Sequence, residues 1–218
     1  MTKNCFGGFI LYMDICGISF CAKPINDVII QKYNKKTGLF DHLSVKFIKI
    51  EPDNKNDIRA IDKAAQKWTD AKYIRKIATA SHWSGSLPID IYAVTTQKDK
   101  FNMLKPNRIL GFAEMRKDKN FPKYDWLYHL QVKPEAINVN NPNPQKEYKH
   151  VGTSILNSLK KVYKNIFLYS EDSPNIEKFY RDNGFIEEYI FNRRFYWSSN
   201  FFNRLKIYLH NKFNIWGI

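Results

Sequence analysis

Two short stretches hold the residues with the clearest chemical use. The first is Lys149-His150-Val151-Gly152-Thr153-Ser154, which leads into an apolar helical pattern. A helix start exposes backbone N–H groups with no intrahelical acceptor, and the helix dipole adds positive potential there. A glycine in that turn lets the backbone approach a ligand closely, so the amides near Val151 to Ser154 form a natural phosphate site. The second stretch is Phe179-Tyr180-Arg181-Asp182-Asn183-Gly184-Phe185. It reads as a helix that carries a tyrosine and stops at a glycine. A phenol of ordinary pKa about 10 can hand a proton to a leaving group of comparable basicity, such as a thiolate.

The elements that must position these groups follow from periodicity. Leu43 to Ile50 alternates apolar and polar residues, as a half-buried strand does. Asp57 stands where an N-cap belongs, and Ile58, Ile61, Ala65 and Trp68 follow at helical spacing. A second helical stretch runs from Tyr73 to Ala80, before the loop His82-Trp83-Ser84-Gly85-Ser86. Ile89 to Thr96, Arg108 to Met115 and Trp126 to Val132 read as strands. The helix after Gly152 places Ile155, Leu156, Leu159, Val162 and Tyr163 on one face, and Ile166 to Tyr169 is a short apolar strand. Ser173-Pro174 is a favoured helix start, Gly184 ends that helix, and Phe185 to Tyr196 gives one or two further strands. Helices that interleave with strands imply an α/β domain whose sheet is covered on both faces.

That order, with those motifs, resembles the GNAT acyl-CoA N-acyltransferase family over residues 43–192. The family's phosphate motif is [QR]-x-x-G-x-[GA]. Gly152 is in place, Lys149 stands for the Gln or Arg, and Ser154 stands for the small last residue. Leu130-Gln131-Val132-Lys133-Pro134-Glu135 resembles the family's strand-ending Leu-x-Val-x-Pro segment, and Phe179 to Phe185 its Phe-Tyr-x-x-x-Gly-Phe helix exit. The resemblance implies a GNAT-type, mostly antiparallel twisted sheet flanked by helices. It implies acetyl-CoA as co-substrate, an amine acceptor, and direct attack in a ternary complex. Leu130, Gln131 and Val132 would receive the pantetheine arm, and Val132 would present an N–H that polarises the thioester carbonyl. Lys149, His150, Val151, Gly152, Thr153 and Ser154 would hold phosphate, with Asn175 and Glu171 near the helix entry. Tyr180 would be the general acid. The general base stays open between Glu114, His129, Tyr128 and an ordered water. Clean alternation from Val132 would put Tyr128 on its face and His129 on the other, and a bulge would reverse that parity. The loop after Val132 is longer than usual in the family, and Ile137 to Gln145 could fold over the cofactor or touch the acceptor.

The rest of the chain is less specific. Residues 23–42 are polar and turn-rich and read as a connector, so the expected division is 1–42 extension and connector, 43–192 acyltransferase domain, and 193–218 basic aromatic tail. The three cysteines, Cys5, Cys16 and Cys21, form no metal-ligand spacing, so no metal is expected and a reducing, cytoplasmic setting suits them. Cys5 to Ala22 is nearly all apolar but contains Asp14. A mid-membrane aspartate costs ~2.5–3.5 kcal/mol, which favours a packed extension over a membrane-directing segment. The net charge of +14 in 218 residues fits a general compositional bias, with Lys, Asn and Ile abundant throughout and the lysines in no single block, or else anionic company, with weak nucleic-acid association as one form of it. Phe202, Leu205, Leu209, Phe213 and Trp216 recur at helical spacing, which predicts a tail helix packed on the domain, in a monomer or homodimer. Membrane association through the N-terminus or tail, or a non-catalytic module that binds CoA or nucleic acid, are the competing readings.

Overall fold

The structure is a computed structural model and describes residues 21–51, 54–66, 68, 89–101, 103–117, 123–134, 147–188 and 193–213. The apolar N-terminal run up to residue 20, the Tyr73 to Ala80 stretch, the loop at His82, the 137–145 segment and Trp216 lie outside the described residues.

Nine described strands form one sheet: β1 (Lys23–Asn34), β2 (Leu39–Ile50), β3 (Ile89–Thr95), β4 (Ile109–Lys117), β5 (Asp125–Val132), β6 (Tyr148–Lys149), β7 (Asn165–Tyr169), β8 (Ile186–Glu188) and β9 (Arg194–Ser198). Their spatial order is β6-β1-β2-β3-β4-β5-β7-β9-β8. Every pairing is antiparallel except β5 with β7. Four helices are described: α1 (Lys55–Ala65), α2 (Val151–Val162), α3 (Pro174–Asp182) and α4 (Phe201–Phe213).

The alternation of β3 shows how the sheet is covered. Tyr92 and Val94 join a core with Val151, Ile155, Leu156 and Leu159 of α2. Ile91 and Ala93 point the other way, into a core with Ala60, Ile61, Ala64 and Ala65 of α1. A period of two therefore feeds both layers, and the expectation of a sheet covered on both faces is met. Ser173 and Gly184 bound α3 as expected, with Pro174 at its first position and Gly184 at φ +75°.

Three expectations are corrected. Residues 23–42 are not a connector: Lys23 to Asn34 is β1, and it pairs with β2 from Lys23↔Lys49 to Asn34↔Leu39. Most of this strand is solvent-facing and only Ile30 is deeply buried, so its sequence carries almost no apolar alternation. Asp57 is not the N-cap of α1. Asn54 is, its side-chain oxygen accepting from the amides of Asn56 (2.9 Å) and Asp57 (3.4 Å). Asp57 is instead wholly buried in the first turn. The tail does form a helix, but Phe202 is 75% and Leu205 37% exposed, so the first part of that stripe is not buried against the domain.

Candidate functional site

The turn that opens α2 begins at His150. It sits in the left-handed region at φ 65° and closes the short β6 strand, so the chain turns abruptly into α2. The first helical bond runs from the Ser154 amide to the His150 carbonyl at 2.9 Å. The amides of Val151, Gly152 and Thr153 precede it and are the orphan donors of the helix start. The Ser154 amide is therefore committed to the helix. Its hydroxyl donates to the Ile29 carbonyl of β1 at 3.1 Å, so Ser154 ties the start of α2 to β1.

The far end of α2 is tethered too. The Tyr163 hydroxyl donates to Asp90 Oδ2 at 2.8 Å and lies 2.9 Å from the Tyr92 hydroxyl. Burial, then the contacts with Tyr92 and Asp90, push the Tyr163 phenol far above its ordinary value, so it remains a donor. With both ends of α2 held to the sheet, the orphan amides stand on a fixed support.

Gly152 links the three motifs in space. A Cβ added there would meet Phe179 Cζ at 3.0 Å and Val132 Cγ1 at 3.7 Å. The loop, the end of β5 and α3 thus converge at one point, and a side chain at residue 152 would intrude on the junction. Gly111 does the same from β4: its Cβ would meet the Gln131 carbonyl and Ile155 Cδ1, each at 3.0 Å. Lys149 places its ammonium 3.7 Å from the centre of the Phe40 ring, a cation–π contact, so its charge lies beside the loop and toward β2. Lys32 and Lys133 flank the Tyr148 ring at 5.7 and 5.9 Å, and Lys32 also lies 3.7 Å from the Glu147 carboxylate, which offsets its charge. His150 is exposed.

β5 parts from β7 next to this junction. The two pair only at Asp125↔Ile166 and Trp126↔Phe167, and no ladder joins them beyond that point. Leu130 to Val132 remain paired to β4 on their other side, with Val132 opposite Gly111. The opened edge is where backbone donors of Leu130 to Val132 can meet an extended ligand.

β5 also carries a bulge. Glu114 faces His129 while Met115 faces Leu127, so Tyr128 is an extra residue. Leu127, Leu130 and Val132 consequently all join the α2-side core despite their uneven spacing. His129 points to the opposite face and stacks on Phe112 at 5.5 Å. Tyr128 is turned out, 37% exposed, with the Arg116 guanidinium 3.5 Å from its ring centre. Clean alternation therefore fails at Tyr128, while His129 keeps the face opposite Val132. Glu114 is fully buried, and Arg116 Nε contacts its Oε1 at 2.5 Å. Sequence reasoning missed Arg116. The signal was there: residues two apart on a strand share a face, so Glu114-x-Arg116 is an ion pair by geometry.

Tyr180 is 8% exposed and packs among Phe179, Phe185 and Phe195 at 5.3, 5.8 and 5.6 Å between ring centres. Burial, then the nearby Glu171 carboxylate, push its phenol well above the ordinary value, so it keeps its proton at neutral pH. Lys160 of α2 donates to the Asn183 carbonyl and fastens the end of α3 to α2. Burial, then Arg204, lower the Lys160 ammonium to about 8. Asn175 lies exposed in the first turn of α3, near the helix entry as expected. Among the described residues no cluster of three potential metal ligands occurs.

No protein-family model matches the sequence, and no curated protein matches it. Solved structures that resemble the chain include a candidate GNAT-family acetyltransferase from Desulfovibrio desulfuricans, at TM-score 0.41 and 8% identity over 80% of this chain and 100% of that one. Another is Arabidopsis thaliana NAA60 in complex with a bisubstrate analogue, at TM-score 0.38 and 11% identity over 70% and 95%. A third is a candidate streptothricin acetyltransferase from Bacillus anthracis in complex with acetyl coenzyme A, at TM-score 0.30 and 12% identity over 87% and 95%. The strand order with its one parallel pair, the bulged and splayed β5 and the glycine turn that opens α2 make this a GNAT-type fold.

Proposed function

We propose that the chain is an acetyl-CoA-dependent N-acetyltransferase that passes the acetyl group directly to a primary amine. The observation that carries this reading is the convergence at Gly152. At the start of α2, the position a Cβ on Gly152 would take lies 3.0 Å from the Phe179 side chain of α3 and 3.7 Å from the Val132 side chain at the end of β5. An anionic, extended thioester ligand is the chemistry that uses all three. Bound there, acetyl-CoA would supply the activated acyl group.

The chain's own residues then have separable tasks. The amides of Val151, Gly152 and Thr153 hold phosphate, and Lys149 beside Phe40 raises the local positive potential. A Val132-region amide stabilises the oxyanion that develops as the amine attacks. Tyr180 supplies a proton to the departing thiolate; burial and Glu171, by raising its phenol, make it a weaker acid than an ordinary tyrosine. On the other face, Glu114, Arg116 and His129 form the polar wall toward the acceptor, and the amine's proton passes to Glu114, His129 or a water they hold. Because Arg116 already engages Glu114, the carboxylate must share that contact to accept a proton. The cytoplasmic setting belongs to the same proposal, but the 43–192 boundary does not, because β1, the start of β2 and β9 (Arg194–Ser198) are strands of the same sheet.

The test is an acceptor screen with purified protein and acetyl-CoA, reading free thiol. Acceptor-dependent thiol release supports the reading. Binding of acetyl-CoA without release for any amine class would leave a CoA-binding module instead.

A further inference from the structure

α4 half-buries Ile207 and Leu209 but leaves other apolar side chains exposed. A helix laid on a sheet ordinarily directs its apolar arc inward. Here Phe201, Phe202 and Tyr208 are 61, 75 and 50% exposed, and Leu205 is exposed beside them. At 3.6 residues per turn, Phe201, Leu205, Tyr208 and Lys212 fall within a ~60° arc, with Phe202 and Lys206 ~60° and ~100° beyond one edge of it. The inward side is held at β8 and β9, partly through Asn203, which donates to the Ser198 hydroxyl oxygen at 3.4 Å. From Ser198 to Ile218 the sequence has no aspartate or glutamate, and α4 carries Arg204, Lys206 and Lys212.

We propose that α4 docks the protein on an anionic membrane surface, its aromatic arc entering the headgroup boundary while the lysines meet acidic lipid. An apolar stripe bordered by cations and free of acidic residues is the pattern such a surface selects. A second copy of the chain fits less well. A two-fold contact through this face would bring Lys206 and Lys212 of both copies together, with no acidic residue on the helix to offset them. Among the described residues no helix is long and apolar enough to cross a membrane, so the contact is a surface one.

The test uses the full chain in sedimentation with vesicles of phosphatidylcholine alone or with 30 mol% phosphatidylserine. Binding to the anionic vesicles only is expected, and 1 M salt should weaken it. F201A/F202A/Y208A should reduce partitioning roughly 100-fold. K206Q/K212Q should reduce it roughly 30-fold, at ~1 kcal/mol per cation near the surface. All five substituted side chains are exposed, so melting temperatures should not move, and a fall in either variant's vesicle binding at constant melting temperature supports the proposal. Four outcomes would overturn it: no sedimentation, equal sedimentation with neutral vesicles, wild-type binding by the aromatic variant, or an aromatic-dependent dimer that ignores vesicles.

Discussion

Substituting Gly152 separates packing from ligand chemistry. Gly152→Ala adds a Cβ 3.0 Å from Phe179 Cζ and 3.7 Å from Val132 Cγ1. Overpacking of this kind costs ~1–3 kcal/mol, and the helix propensity of alanine returns ~1 kcal/mol. The net loss of ~0–2 kcal/mol corresponds to a fall in melting temperature of no more than about 8 °C in a chain of this size. Gly152→Glu adds the same Cβ and a carboxylate at a helix N-terminus, where the dipole favours negative charge by ~0.3–1 kcal/mol. Its stability should therefore stay close to that of Gly152→Ala. Acetyl-CoA binding should diverge sharply. A carboxylate occupying the amides of Val151 and Thr153 displaces two charge-assisted hydrogen bonds worth ~1.5–3 kcal/mol each, a loss of roughly 10²–10⁴-fold. Titration calorimetry with acetyl-CoA, paired with thermal melts of both variants, reads the two effects apart. If Gly152→Glu binds acetyl-CoA within threefold of the unsubstituted protein, the cradle assignment is wrong.

Tyr180→Phe keeps the packing with Phe185 and Phe195, so kcat should fall ~10²–10⁴-fold with CoA affinity nearly unchanged, and full turnover would make Tyr180 a core residue only. Ser154→Ala removes the hydroxyl bond to Ile29 and should cost ~0.5–1.5 kcal/mol in denaturant melts while leaving acetyl-CoA affinity intact; lost affinity would return Ser154 to the cradle. Asp57 is raised from 3.8 to about 7, by burial first, against the pull of the Ala22 backbone and Asn54. Its folded-state pKa lies above the unfolded one, so its contribution is best at low pH and erodes between about pH 4 and 7, on the order of 4 kcal/mol in all. Asp57→Asn should melt higher than the parent at pH 8 and converge with it near pH 4; parallel melting curves would show that Asp57 is not the titrating group.

The sequence by itself determined the local elements and the motif residues. Ile155, Leu156 and Leu159 share one face of α2 because helical spacing leaves them no other choice, and all three are buried. Ser173-Pro174 and Gly184 bound α3 because cap, fixed φ and positive φ are backbone properties that the residues carry with them. Tertiary structure decided what depends on a neighbour. β1 is a strand through its hydrogen bonds to β2 and β6, which impose little pattern on side chains left in water. Asn54, not Asp57, caps α1, because burial beside Ala22 removes Asp57 from the helix end. The bulge at Tyr128 depends on register with β4, and a single extra residue reassigns every face before it. Arg116 reaches Glu114 only once both lie on one pleat. Ser154 was legible as a small loop residue, but its tether exists only because β1 runs beside the start of α2. The tail's helical spacing was equally plain. Which way that helix faces was set by its packing on β8 and β9, because an amphipathic stripe specifies a face and not the surface that will cover it.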